Sequence, residues 1–260
     1  MDLQLNGRVV AVTGASSGVG LATTRLLVAE GANVVASARD LGRLQDAVGD
    51  LAGPGKVHTV SCDVVDRASV EAMVAEGVEV FGGLDGVVCN AGRSLMASIS
   101  DTTDEQIREE LDLKVFGAWN VVRAARPHLA ASDVASVVNV NAILAKQPET
   151  RLAITSAARA ALLNLSRTLA AELAPDGIRV NSVALGLVDT GQWRRRYEAA
   201  GTDLTYEEWS AEIAADRGIA LGRFGRAEEV AFPIVSLLSP LTSYCTGATI
   251  DVGGGISRYL

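Results

Sequence analysis

The sequence predicts an α/β domain: one doubly wound unit with about seven parallel strands and helices on both faces of the sheet. Three observations lead there. Short apolar, β-branched runs alternate with longer helix-patterned segments along the whole 260-residue chain. Repeated strand–helix–strand units call for right-handed crossovers, and therefore for a parallel sheet. Hydrophobic residues make up 48% of the chain, as expected when strands are buried on both faces. The length suits one domain over residues 1–260 with a well-filled core, and no linker, repeat or low-complexity stretch divides it.

The elements follow in order. Residues 8–13 are the first strand, with Val9-Val10-Ala11-Val12 as its apolar run, and residues 18–30 a helix that Gly31 stops. Residues 33–38 and 41–51 are the second strand and helix, 56–61 and 67–81 the third pair, and 84–90 the fourth strand. A long helix is expected over 103–128, and then a β-branched strand over 134–141. A second long helix, 150–173, is ended by the turn Ala174-Pro175-Asp176-Gly177 and followed by a strand over 178–184. Residues 187–218, rich in charge and tryptophan, break the alternation. They lie near the strand ends, where such folds bind ligands, and read as a substrate lid. A helix over 227–238, with Pro233 as an expected kink, and a strand over 248–252 complete the chain.

Composition narrows the function classes. A net charge of −8 argues against nucleic acid and anionic membranes as partners. Cys62, Cys89 and Cys245 are scattered, with no metal-ligand spacing and no disulfide framework, which predicts a reducing cytoplasmic setting and no metal. The first residues lack a signal-peptide pattern, and no apolar run reaches the ~18 residues of a membrane helix.

The loop Thr13-Gly14-Ala15-Ser16-Ser17-Gly18-Val19-Gly20 joins the first strand to the first helix. Glycines there allow a tight turn and close backbone approach to a pyrophosphate, which the helix N-terminus then receives. This predicts a Rossmann-type dinucleotide site holding Gly14, Ser16, Ser17, Gly18, Val19 and Gly20. The second strand ends Ala36-Ser37-Ala38-Arg39, where a carboxylate would have to meet a ribose 2′-hydroxyl; Arg39 instead suits a 2′-phosphate, pointing to NADP(H).

Position by position this loop resembles that of the short-chain dehydrogenase/reductase family. Asn90-Ala91-Gly92 after the fourth strand, Asp63 after the third, Ile178-Arg179-Val180-Asn181-Ser182-Val183, Gly186 with Thr190, Gly222-Arg223-Phe224-Gly225 and Thr246-Gly247-Ala248 extend the likeness over nearly the whole chain. Leu185 stands where the family has proline. The resemblance implies that Asp63 and Val64 meet the adenine, that Asn90, Ala91 and Gly92 line the cofactor, and that Gly186, Val188 and Thr190 lie near the nicotinamide. It also implies a homo-oligomer, dimer or tetramer, built through the two long helices and the C-terminal segment.

The same resemblance implies a catalytic tyrosine, a lysine four residues later, a serine and an asparagine. Those positions fall on Thr155, Arg159, Ala142 and Lys114. A threonine hydroxyl is far less acidic than a phenol of pKa ~10 and cannot act as the general acid of ketone reduction. Arg159 can hold ribose hydroxyls without relaying a proton. Lys114 is the one new ionisable group, either a proton donor beside the nicotinamide or a cation reaching solvent or a helix carboxylate. Asn141, one residue before Ala142, can offer an amide if it faces the pocket. Lys114, Asn141, Thr155 and Arg159 are therefore the candidate catalytic residues.

Three functions follow: hydride transfer to an iminium, enone or quinone that needs no tyrosine acid; a non-redox cyclisation or isomerisation in the cofactor pocket; or cofactor binding without chemistry. The first takes best account of a retained cofactor loop and lid. Trp193, Trp209, Tyr197 and Tyr206 in the lid suggest a small-molecule substrate that is bulky or aromatic, or else packing within the lid. The run Arg194-Arg195-Arg196 reads as a solvated face or as a clamp for an acidic substrate.

Overall fold

The computed structural model describes residues 2–259. In chain order the first half comprises β1 (Val9–Thr13), α1 (Gly18–Ala29), β2 (Asn33–Ala38), α2 (Leu41–Val48), β3 (Val57–Ser61), α3 (Arg67–Phe81), β4 (Gly86–Cys89), α4 (Asp104–Leu111) and α5 (Gly117–Leu129). The second comprises β5 (Ser136–Ala142), α6 (Ala153–Leu173), β6 (Arg179–Leu185), β7 (Val188–Asp189), α7 (Gly191–Ala200), α8 (Tyr206–Asp216), β8 (Gly225–Arg226), α9 (Ala227–Leu238) and β9 (Thr249–Val252). Seven strands form one parallel sheet in the order β3-β2-β1-β4-β5-β6-β9.

Strand alternation builds two cores from one sheet. Val9 and Ala11 face a layer with Met73, Val121 and Leu169 from α3, α5 and α6. Val10 and Val12 face the opposite layer, with Leu27, Leu44 and Ile234 from α1, α2 and α9. Every residue of β1 is buried, so the apolar run seen in the sequence serves both layers. The chain winds outward in one direction from β1 to β3 and in the other from β4 to β9. A crevice therefore opens between the carboxyl ends of β1 and β4.

Two regions differ from the sequence expectation. The helix expected over 103–128 is α4 and α5 joined by a π-helical turn, Asp112–Phe116, which inserts one residue and carries Lys114 into the interior. The segment 187–218 is not irregular: it holds α7 and α8, with β7 paired to β8 in a small second sheet. A third apolar cluster, Ile143, Ala184, Ala214, Ile219, Phe224 and Ile256, ties it to the ends of the main strands. The helix over 227–238 has the expected bounds and runs through Pro233.

Candidate cofactor and substrate site

The crevice widens into a cavity of about 1060 Å³. Its first wall is the β1–α1 turn, where Gly14 and Gly18 adopt φ of 67° and 55°. Gly20 does not line the cavity. It lets α1 close on the turn, since a Cβ there would lie 2.3 Å from the Gly14 carbonyl oxygen and 2.5 Å from Asn90 Nδ2. Asn90 Nδ2 donates to the carbonyls of Thr13 (2.9 Å) and Gly14 (3.2 Å). The backbone amides of Asn90 and Ala91 donate to Thr13 Oγ1 at 3.0 and 3.1 Å. Asn90 thus stiffens the turn as well as lining it. At the N-cap of α1, Ser17 makes no side-chain capping bond, so the first amides of the helix keep free donors beside Gly18 and Val19 on the cavity wall.

Of the expected cofactor positions, all but Gly20 line this one cavity: Gly14, Ser16, Ser17, Gly18, Val19, Arg39, Asp63, Val64, Asn90, Ala91, Gly92, Arg159, Gly186, Val188 and Thr190. At the β2 end Arg39 is exposed, and Arg43, which the sequence reading overlooked, joins it on the wall. Neither guanidinium belongs to an ion pair among the described residues. The nearby Asp40 is occupied as N-cap of α2, accepting from the Arg43 amide at 3.0 Å. Asp63 Oδ1 accepts from the Val65 amide at 3.1 Å, which shapes the wall beyond β3.

The inner wall is arranged differently from expectation. Of the candidate catalytic residues only Arg159 lines the cavity; it is joined there by Val140 and Ala142. Arg159 Nη1 donates to the Val140 carbonyl at 2.6 Å, and its Nε has no partner among the described residues. Burial lowers its pKa to about 10, partly opposed by Glu110, so it stays protonated at neutral pH. Lys114 and Thr155 sit behind the wall. Lys114 Nζ lies 2.7 Å from Glu110 Oε2, with side-chain exposures of 1% and 3%. The contact is a close ion pair, although no well-directed hydrogen bond reaches Nζ. Thr155 Oγ1 donates to the same Glu110 oxygen at 2.5 Å and accepts from the Leu95 amide at 3.1 Å. Burial, and next the Arg159 charge, pull the Lys114 pKa down to about 8, with Glu110 opposing.

Asn141 also points away from the cavity. Its Nδ2 donates to the Arg159 carbonyl at 3.1 Å and its Oδ1 accepts from the Ala142 amide at 2.9 Å, so the amide is spent on backbone. Lys114 takes the helix-carboxylate option and stands off the cavity wall. The residue missed was Glu110, one turn before Lys114; the i, i+4 spacing of acid and base was a signal for it.

In the 187–218 segment both tyrosines are engaged. Tyr197 donates to the Leu204 carbonyl at 2.7 Å and Tyr206 to Asp189 at 2.6 Å, and neither lines the cavity. Burial pushes the Tyr206 phenol well above its usual range. Trp209 packs with Tyr197, Tyr206 and Trp193, and only Trp193 of these four reaches the cavity. The aromatic residues thus divide between packing within the 187–218 segment and one wall position.

Such a sheet, with a glycine turn and open helix amides at its switch point, defines a Rossmann-type nucleotide-binding domain. A family model described as enoyl-(acyl carrier protein) reductase matches residues 14–257. The chain is 34% identical over 255 residues to the 3-oxoacyl-(acyl-carrier-protein) reductase FabG of Thermotoga maritima, covering 98% of this chain and 99% of that protein. An NADPH-bound short chain oxidoreductase from Pseudomonas aeruginosa PAO1, described as containing an atypical catalytic center, superposes with a TM-score of 0.91 at 43% identity, covering 97% of this chain and 98% of that one. L-sorbose reductase from Gluconobacter frateurii, complexed with NADPH and L-sorbose, gives 0.95 at 31% identity with full coverage of both chains (100% and 100%). The chain belongs to the short-chain dehydrogenase/reductase family. No helix among the described residues is long and apolar enough to cross a membrane.

Proposed function

We propose that the protein is an NADP(H)-dependent oxidoreductase with a non-standard active site, reducing an acceptor that needs no tyrosine acid: an iminium, an enone or a quinone. The inner wall carries this reading. Between Val140 and Arg159 it offers Ala142 and a guanidinium, while the hydroxyl of Thr155 and the amine of Lys114 are turned away onto Glu110. NADP(H) fits the open amides of α1, the unpaired Arg39 and Arg43, and the partnerless Nε of Arg159. Both solved relatives described above bind NADPH.

NADPH supplies the hydride when bound. Arg159 would hold the ribose side of the bound cofactor and present fixed positive charge to an oxygen that becomes anionic. An iminium carbon accepts hydride to give a neutral amine with no proton required. An enone or quinone takes its proton from solvent at the cavity mouth. Thr155, Lys114 and Asn141 act as positioning residues. Thr155 fixes the Leu95 amide, and thereby the wall segment that includes Gly92 and Arg93; Asn141 anchors the Arg159 backbone. The family model's description, an enoyl reductase, is in keeping with a conjugated acceptor. Residues 187–218 cover the substrate end as a lid. Assembly as a homo-oligomer fits the exposed Leu111 and Phe116 along the α4–α5 run.

The test is transfer of deuterium from nicotinamide-labelled NADPH, both C4 epimers, to a panel of imines, enones and quinones, read by mass spectrometry of the products. We expect label in at least one class. Thr155→Ala should lower kcat/KM less than about tenfold, against roughly 100-fold or more for removal of a general acid. No label in any product would eliminate the redox reading. In parallel, Arg39→Ala should weaken NADPH roughly tenfold or more while leaving NADH within about twofold, because only NADPH carries the phosphate for a charge-assisted hydrogen bond. An unchanged ratio of the two affinities would remove Arg39 from the cofactor site.

A further inference from the structure

Three consecutive arginines on α7 have separate fates. Arg194 grips Asp189 through Nε (3.2 Å) and Nη2 (2.8 Å) and covers the Tyr206 ring at 3.8 Å. Arg195 and Arg196 line the main cavity instead. Arg195 is exposed, whereas Arg196 is half-buried, its guanidinium carbon 4.6 Å from the centre of the Trp193 ring. No carboxylate pairs with Arg196 among the described residues, although Arg217 on the same wall is paired with Glu149. Burial lowers the Arg196 pKa, as expected of a cation whose lost hydration nothing in the chain replaces. The stacked ring also holds its planar fork in place at little entropic cost.

The surroundings specify what would complete it. Ile143, Leu144, Leu152 and Ile256 share the cavity wall with Trp193. A chain of net charge −8 repels anions at long range. An unpaired arginine in an apolar recess reverses that field locally. Arg39 and Arg43, by contrast, belong to the β2 end. Four strand spacings separate β2 from β6, the strand that leads into β7 and α7, or roughly 19 Å at about 4.8 Å per strand. The N-cap of α7, Thr190, nevertheless packs close to Gly18 of the β1–α1 turn, so the anion of a bound cofactor is the alternative that has to be excluded.

We propose that Arg196, stacked on Trp193, is the anion receptor of the substrate pocket, and that the substrate is an apolar or aromatic molecule bearing a carboxylate. This rests on reading the cavity as a substrate site but not on hydride transfer, since binding alone tests it. The competing source of the anion is the cofactor's own pyrophosphate.

Three acid–amide pairs decide the matter: phenylacetate and phenylacetamide, trans-cinnamate and cinnamamide, octanoate and octanamide. Each is titrated by calorimetry against the protein alone and against the protein saturated with NADPH. We expect at least one acid to bind about tenfold more tightly than its amide. Arg196→Gln should erase that preference, with NADPH affinity changed less than about twofold. Arg196→Lys should keep part of it, which guards against a folding failure in the glutamine variant. Arg195→Gln, which removes the same charge without the aromatic stack, should retain the preference. Equal binding of acid and amide in every pair overturns the proposal. So does a preference that survives Arg196→Gln, or one lost equally in Arg195→Gln. Weakening of NADPH in Arg196→Gln, greater than that of the acids, assigns the residue to the pyrophosphate and also overturns it. Failure of deuterium transfer with a retained acid preference would reject the redox reading alone.

Discussion

Lys114→Met should destabilise the protein by about 3–5 kcal/mol, the usual consequence of leaving one member of a buried ion pair without its partner. The pair is shielded from solvent, with side-chain exposures of 1% for Lys114 and 3% for Glu110, so screening gives little relief. Glu110→Gln combined with Lys114→Met should recover to within about 1 kcal/mol of the parent, because two neutral groups of similar volume need no compensation. Thr155 can still donate to the new amide oxygen. With Glu110→Gln alone as the remaining corner, these variants form a double-mutant cycle, read from urea unfolding, and a coupling near zero would mean that the ion pair is not a thermodynamic unit.

The pH dependence has a definite sign. Burial holds the Lys114 pKa at about 8, below its unfolded value. The cost of keeping this amine charged is present in full well below that pH and is relieved as pH climbs from about 8 towards the unfolded value. The parent should therefore gain stability over that window, and Lys114→Met should not. Equal pH dependence of the two proteins in urea unfolding would show that Lys114 is not the titrating group.

Gly20→Ala should abolish the nucleotide site. The added methyl would lie 2.3 Å from the Gly14 carbonyl oxygen and 2.5 Å from Asn90 Nδ2. The first belongs to the turn and the second braces it from the end of β4, so relief requires the turn to open and Asn90 to leave its two carbonyls. Overpacking of this kind costs roughly 1–3 kcal/mol of stability. Loss of two phosphate hydrogen bonds, at about 1.5–3 kcal/mol each, should weaken NADPH by on the order of 100-fold or more. Gly82→Ala is the control. It is strained at φ 84° but meets nothing within 4 Å, at the end of α3, and should lose stability without losing NADPH affinity. Fluorescence titration and thermal unfolding separate the two effects, and normal NADPH binding by Gly20→Ala would rule out the turn as the phosphate cradle.

Much of this was readable from the chain. The alternation of apolar runs, the glycines at 14, 18 and 20, and the bounds of most strands and helices depend on local backbone preference and on periodicity, both written in neighbouring residues. Among the cavity positions, the first turn and Arg39 were readable because strand–turn–helix order places them at one edge of the sheet, whereas Asp63, Val64, Asn90, Ala91, Gly92, Gly186, Val188 and Thr190 were expected only from the family resemblance. The π-helical turn was not, since one inserted residue hardly disturbs a long apolar helical pattern.

Which polar side chain meets which was beyond the sequence. Glu110 on α4 claims Thr155 on α6 and Lys114 one turn on, and so withdraws two residues from the pocket they were expected to serve. Tyr206 is taken by Asp189, and Arg194 parts from Arg195 and Arg196, only because β7, α7 and α8 fold against one another. The sequence by itself determined the sheet, its crossovers and the nucleotide turn, since these follow from local geometry and burial. Tertiary structure alone decided which charges are paired and buried and which remain free on the cavity wall, because that depends on contacts between elements distant in the chain.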